Sequence, residues 1–259
     1  MRYFLVICCC FMAFDLLAQN PASIEADLLK SFKKIDYCRD KEYNDTTGTW
    51  VDSLEKSNNV FAKKLQAYVT KYPATITYPF GSLAKENLDI STSADGLFRI
   101  YSWDTWTGGT MHFFENVMQY KSGATVKAII DTPKGDGDNR PNYNKMYTFK
   151  MNGKAYYISA FLYIGSSKDV AEGVHIFTIE NGKLTDAKLI KTHSGLHSEL
   201  SYGYDFGSVV NIDYDKRPRT RFDSATNIIY LPLVDGNNQM TNQFIQYKFT
   251  GQYFERVKN

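Results

Sequence analysis

Apolar residues recur at helical spacing after Pro21, at Ile24, Leu28, Phe32 and Ile35, while Glu25, Asp27, Lys30, Lys33 and Lys34 take positions between them. This pattern predicts a short amphipathic helix, ended by the turn-forming residues 40–48. Thr49, three positions before Asp52, has a capping arrangement, and Val51, Leu54, Phe61, Leu65 and Tyr68 mark one face of a second helix that stops at Tyr72-Pro73. Asn58 interrupts that apolar face.

From Leu88 onward the pattern changes to short runs of Tyr, Phe, Ile, Val and Thr separated by hairpin turn signals. Asp95-Gly96, Asn152-Gly153, Asn181-Gly182 and Thr250-Gly251 each separate two such runs, and Asp235-Gly236 follows the run 228–234. Ile245, Tyr247 and Phe249 alternate with Gln246 and Lys248, as in a strand wet on one face. Residues 155–164 are apolar or aromatic on both faces, which predicts a central strand covered on both sides. The fold class read from these patterns is α+β, mainly β. Two N-terminal helices pack on a curved antiparallel β-meander or sandwich, with a helical segment over 20–73 and an antiparallel β domain over 74–259.

Between Ser93 and Asp104, a Ser-Ala-Asp-Gly turn leads into Leu-Phe-Arg-Ile-Tyr-Ser-Trp-Asp. This run resembles a blade strand pair of bacterial β-propellers, which implies a small or incomplete propeller as the alternative fold. A propeller needs about 40–50 residues per blade, so residues 88–259 hold barely four, and the turn signals keep no fixed period.

The N-terminus changes the setting. Arg2 precedes an uncharged, mostly apolar run over 3–14, and Asp15 interrupts it well short of the roughly 20 residues a membrane span needs. Residues 1–19 therefore read as a secretory signal peptide, cut after Ala18 or Gln19, with no membrane span once it is removed. Cys8, Cys9 and Cys10 leave with it, so Cys38 remains alone and no intrachain disulfide can form. In this the chain resembles uncharacterised exported proteins of Gram-negative bacteria, which implies a periplasmic, envelope or extracellular location. Against 30 Lys+Arg stand 28 Asp+Glu, a near-balance that argues against a nucleic-acid partner. Aromatic residues make up 15% of the chain, in keeping with β structure stabilised by cross-strand ring contacts.

No common catalytic fingerprint is present, and no cofactor or metal is expected. The densest chemical group is Trp103-Asp104-Thr-Trp106-Thr-Gly-Gly-Thr-Met-His112. Its tryptophans are able to stack on a sugar or peptide while Asp104 and His112 bond or transfer protons; equally, the rings serve as core and Asp104 as a turn cap. His193 and His197, with Glu199 near them, lie in a loop-like segment that continues to Tyr202 and Tyr204. Residues 134–139 resemble the start of a calcium loop but depart from it at Arg140 and Pro141. Arg217, Arg219 and Arg221 alternate beside Asp213, Asp215 and Asp223, an arrangement read as local ion pairing.

Three functions compete on this basis. The first is a non-catalytic exported module that binds a glycan or an envelope protein through Trp103, Asp104, Trp106, His112, His193, His197 and Tyr204. The second is a hydrolase of glycans or peptides using Asp104 and His112 with Glu115 or Glu199. The third is a structural subunit of an envelope assembly.

Overall fold

The computed structural model describes residues 20–41, 49–133, 135 and 139–258; the stretch over 1–19 read as a signal peptide and most of the calcium-like loop lie outside them. Helix α1 (Pro21–Arg39) starts on Asn20, whose side chain accepts a hydrogen bond from the Ser23 amide at 2.8 Å, with Pro21 at the first helical position. Helix α2 (Thr49–Lys71) and the short α3 (Gly81–Lys85) complete the helical part. Glu25, which the helical pattern puts on the wet face of α1, is in fact buried, because its carboxylate accepts from the amides of Ser82 and Leu83 at the start of α3 and from the Tyr78 hydroxyl.

Fifteen strands follow among the described residues: β1 (Asp89–Thr92), β2 (Phe98–Asp104), β3 (Phe114–Ser122), β4 (Thr125–Ile130), β5 (Asn142–Met151), β6 (Lys154–Ile164), β7 (Asp169–Glu180), β8 (Lys183–Asp186), β9 (Ile190–Thr192), β10 (Gly195–His197), β11 (Glu199–Asp205), β12 (Arg221–Asp223), β13 (Ile228–Val234), β14 (Met240–Phe249) and β15 (Phe254–Arg256). They form three sheets. The first runs β1-β2-β3-β4, the middle one β11-β7-β6-β5 with β8 also on β7, and the third β10-β9-β15-β14-β13-β12.

Strand alternation decides how the layers stack. Tyr101, Trp103 and Val117 face α1 and α2, where they share a core with Leu28, Phe61 and Leu65. Phe98, Ile100, Met118 and Tyr120 face the other way and pack on Tyr143, Tyr157, Phe161 and Phe177 of the middle sheet. The opposite side of that sheet, through Phe149, Ile158 and Ile176, packs on Ile229, Tyr247 and Phe254 of the third. The order is helices, first sheet, middle sheet, third sheet, and the protein is α+β, mainly β. Strand β6 is covered on both faces as its sequence predicts, but by two sheets; the helices cover the outer side of the first sheet instead. The propeller alternative is not realised as a closed ring: the first sheet has a blade-like meander, yet no core forms between the first and third sheets among the described residues.

The hairpins at Asn152-Gly153 and Asn181-Gly182 carry positive φ at both turn residues, the geometry that matches strand twist. Asp235-Gly236 differs. Residues 235–239 form a longer loop in which the Asp235 carboxylate accepts from the amides of Asn237 and Gln239, and Asn238 takes the positive φ. One ladder is parallel, β15 on β9, because both strands enter the third sheet from the same end.

Candidate functional site

Trp103 is wholly buried. Its indole N–H donates to Asn58 Oδ1 at 2.9 Å, and Asn58 Nδ2 donates to the carbonyls of Leu54 and Thr105 at 3.0 and 2.9 Å. The polar residue inside the apolar face of α2 thus bolts that helix to the end of β2. Trp103 has no surface to offer a ligand, so its place among the binding candidates is corrected to a core role.

The chain then turns back on itself. Asp104 Oδ1 accepts from the Trp106 amide at 2.8 Å, holding Trp106 at a φ of 58°, and Asp104 Oδ2 meets His112 Nδ1 at 2.5 Å. Trp106 is 37% exposed, with the Arg39 guanidinium 4.7 Å above its ring and the His112 ring 6.1 Å away. A Cβ on Gly108 would lie 2.1 Å from the Met111 carbonyl oxygen, so only glycine fits this reversal. The carboxylate contact on Nδ1 orients the imidazole of His112. Five clefts of about 190 to 960 Å³ among the described residues are lined by other groups than Asp104, Trp106 and His112.

His193 and His197 sit on the short β9–β10 hairpin, where His197 Nε2 is 2.9 Å from Ser194 Oγ. No group of three potential metal ligands occurs among the described residues. Tyr204, another binding candidate, is buried; it donates to Glu172 at 2.8 Å while Tyr202 donates to the other oxygen at 3.0 Å. The two phenols compensate a carboxylate whose pKa burial pushes up. The arginine segment is also corrected. Arg219 stacks on Tyr214 at 3.4 Å, and Arg221 lies 4.3 Å from both Tyr230 and Phe244, so aromatic faces take the cations and only Lys216 pairs with Asp213.

The fourth histidine carries a relay that sequence reasoning missed. His175 of β7 takes Tyr143 Oη at 3.0 Å on Nδ1 and Asp186 Oδ1 at 2.9 Å on Nε2. An imidazole inside the apolar run Val174-His-Ile-Phe177 was the available signal. The His175–Asp186 bond ties β8 to β7, and Tyr143 is buried, with desolvation driving its pKa well up.

No protein-family model and no curated protein matches this chain.

Charged groups line several of the clefts. In one of about 690 Å³, Glu115 and Asp131 face Lys63 and Arg140 beside α2. Burial raises the Glu115 pKa, and Arg140, 3.5 Å away, only partly offsets it. A carboxyl with a raised native pKa binds its proton more tightly folded than unfolded. Its stabilising contribution is complete below the unfolded pKa and fades as pH rises through the native one. Urea titrations between about pH 4 and 8 are therefore expected to show a smaller loss of stability with rising pH in Glu115→Gln than in the parent protein.

Another cleft, of about 960 Å³, opens at the end of the third sheet. It is lined by Lys191 and His193 on one wall, Phe244 to Tyr247 on the other, and Glu255 to Lys258 between. Of the seven candidate binding residues, His193 is the one that lines this cleft, together with residues 243–247 and 255–258 that are far from it in sequence.

Proposed function

We propose that the protein is an exported, non-catalytic binding module whose recognition surface is the cleft at the end of the third sheet. One observation carries this reading. In the four-layer stack the helices cover one outer side, whereas the outer face of the third sheet has no core cluster against it among the described residues, and a cleft of about 960 Å³ opens at the end of that sheet. Three cations, Lys191, Arg256 and Lys258, stand around that cleft against one carboxylate, Glu255, so an anionic ligand is favoured. Phe244 supplies a partly exposed ring for apolar contact. Export is supported by Arg2 and the apolar run over 3–14.

The test is a glycan and peptide array probed with the purified protein and with the double variant Arg256→Glu/Lys258→Glu. The parent is expected to retain anionic ligands and the variant to lose them by about tenfold or more in affinity. Equal binding by both proteins would remove the cleft from consideration.

A further inference from the structure

Two aromatic rings of the third sheet, Tyr230 and Phe244, belong to no core cluster among the described residues and are partly exposed. Ile229 and Leu231 of β13 and Tyr247 of β14 face the middle sheet, so alternation turns Tyr230, Phe244, Gln246 and Lys248 to the outer face. Arg221 of β12 stands opposite Tyr230, Tyr230 stands opposite Gln246, and Phe244 lies two residues from Gln246 along β14. The two rings meet edge to face at 6.1 Å, and the Arg221 guanidinium lies 4.3 Å from the centroid of each. Such a clamp holds the cation in place and spends none of its N–H donors.

Arg221 is exposed, and its side chain forms no hydrogen bond or ion pair among the described residues. Asp223, the acid on the same strand, is engaged by the turn after β12, where it accepts from the Ala225 amide at 2.9 Å and the Thr226 hydroxyl at 2.7 Å. Lys248 is exposed too, and Glu255, opposite it on β15, pairs with Lys191 at 3.1 Å. Between the two cations Gln246 offers an amide that both donates and accepts. Two unspent cations on one face favour an anionic ligand, and a planar fork favours a carboxylate that takes two N–H bonds at once. Strand β13, under the middle of this patch, is paired on both edges, with β12 and with β14, so side chains do the recognising. A stiff polymer that repeats its acid groups gives up little freedom on settling across such a face.

We propose that the outer face of the third sheet binds an acidic polysaccharide, with Arg221, clamped between Tyr230 and Phe244, as the bidentate anchor for one sugar carboxylate, Lys248 meeting a second and Gln246 bonding hydroxyls between them. This rests on the reading of the third sheet as the side that takes an anionic ligand. It deepens that reading by naming the ligand class and by carrying the surface from the cleft, through Phe244 and Gln246, to β12.

The test is affinity electrophoresis in native gels that contain polygalacturonate, its methyl ester or polyglutamate, run with the parent protein, Arg221→Lys, Lys248→Gln and Arg256→Glu/Lys258→Glu. Polygalacturonate is expected to retard the parent and the ester to leave it unretarded. Affinity is expected to fall by about tenfold or more in Arg221→Lys, which keeps the charge and loses the fork, and by about threefold or more in Lys248→Gln, which touches neither ring. Parental affinity in either single variant would overturn the arrangement; if only the double variant loses binding, the ligand is confined to the cleft. Loss in both single variants with parental affinity in the double variant would keep the Arg221 anchor and overturn the cleft as the recognition surface. Equal retardation by acid and ester, or retardation by polyglutamate alone, would overturn the acidic polysaccharide.

Discussion

Replacing Trp103 with alanine is expected to lower the free energy of unfolding by about 3–5 kcal/mol, the usual cost of deleting a large buried ring. The ring is sealed between α2 and the first sheet, edge-on to Phe61 at 4.9 Å between centroids. Its loss opens a cavity and also strands Asn58 Oδ1, whose only donor in this contact is the indole. The two parts are separable. Trp103→Phe keeps most of the volume and is expected to cost about 1–3 kcal/mol, the penalty for a buried acceptor left without a donor. Asn58→Ala in the same background should then add less than it does alone, because the shared hydrogen bond is already gone. Urea denaturation of the four proteins checks this, and full additivity would mean that Asn58 and Trp103 are not a unit.

The second large effect is expected at Arg99. Its guanidinium is buried in the first sheet without a carboxylate beside it; instead it donates to the carbonyls of Thr75 and Tyr78 at 2.9 and 2.6 Å and to Thr92 Oγ1 at 2.7 Å. The rings of Tyr101 and Phe80 lie 5.6 and 6.0 Å from it. These bonds tie the 3-10 turn Pro73–Ile76 and the start of α3 to β2. Arg99→Met fills similar space but offers no donor, so each deserted carbonyl is expected to cost about 1–3 kcal/mol, measured as a shift of the urea midpoint at unchanged m. Arg99→Lys retains the charge but not the fork and should recover only part of the loss. Full recovery by lysine would mean that charge, not geometry, holds the turn.

What was legible in the sequence was local. The faces of α1 and α2 follow from a repeat of three and four residues, and the double coverage of β6 from an unbroken apolar run. Asn152-Gly153 and Asn181-Gly182 announce their hairpins because few other dipeptides accept two positive φ angles. What escaped reading depends on partners distant in the chain. Glu25 looks solvated until the amides at the start of α3 reach it, and Asn58 looks like a flaw until Thr105 and Trp103 arrive. The same holds for the recognition surface. Arg256, Lys258 and His193 come together only because β9 and β15 pair in parallel, a non-local event that residue periodicity does not encode. The Trp103 to His112 group was found as a dense motif, yet it divides into a core tryptophan and a surface loop, since Trp103 and Asp104 are adjacent on β2 and alternate faces.

Hydrogen exchange read residue by residue, with and without an anionic oligosaccharide such as polygalacturonate, tests the recognition surface most directly. The account expects slowed exchange at the residues that line the cleft, from Phe244 to Tyr247 on β14 and at Thr192 and Lys258. Slowing confined to residues 104–112, or to the cleft that holds Glu115, with β14 unchanged, would contradict it.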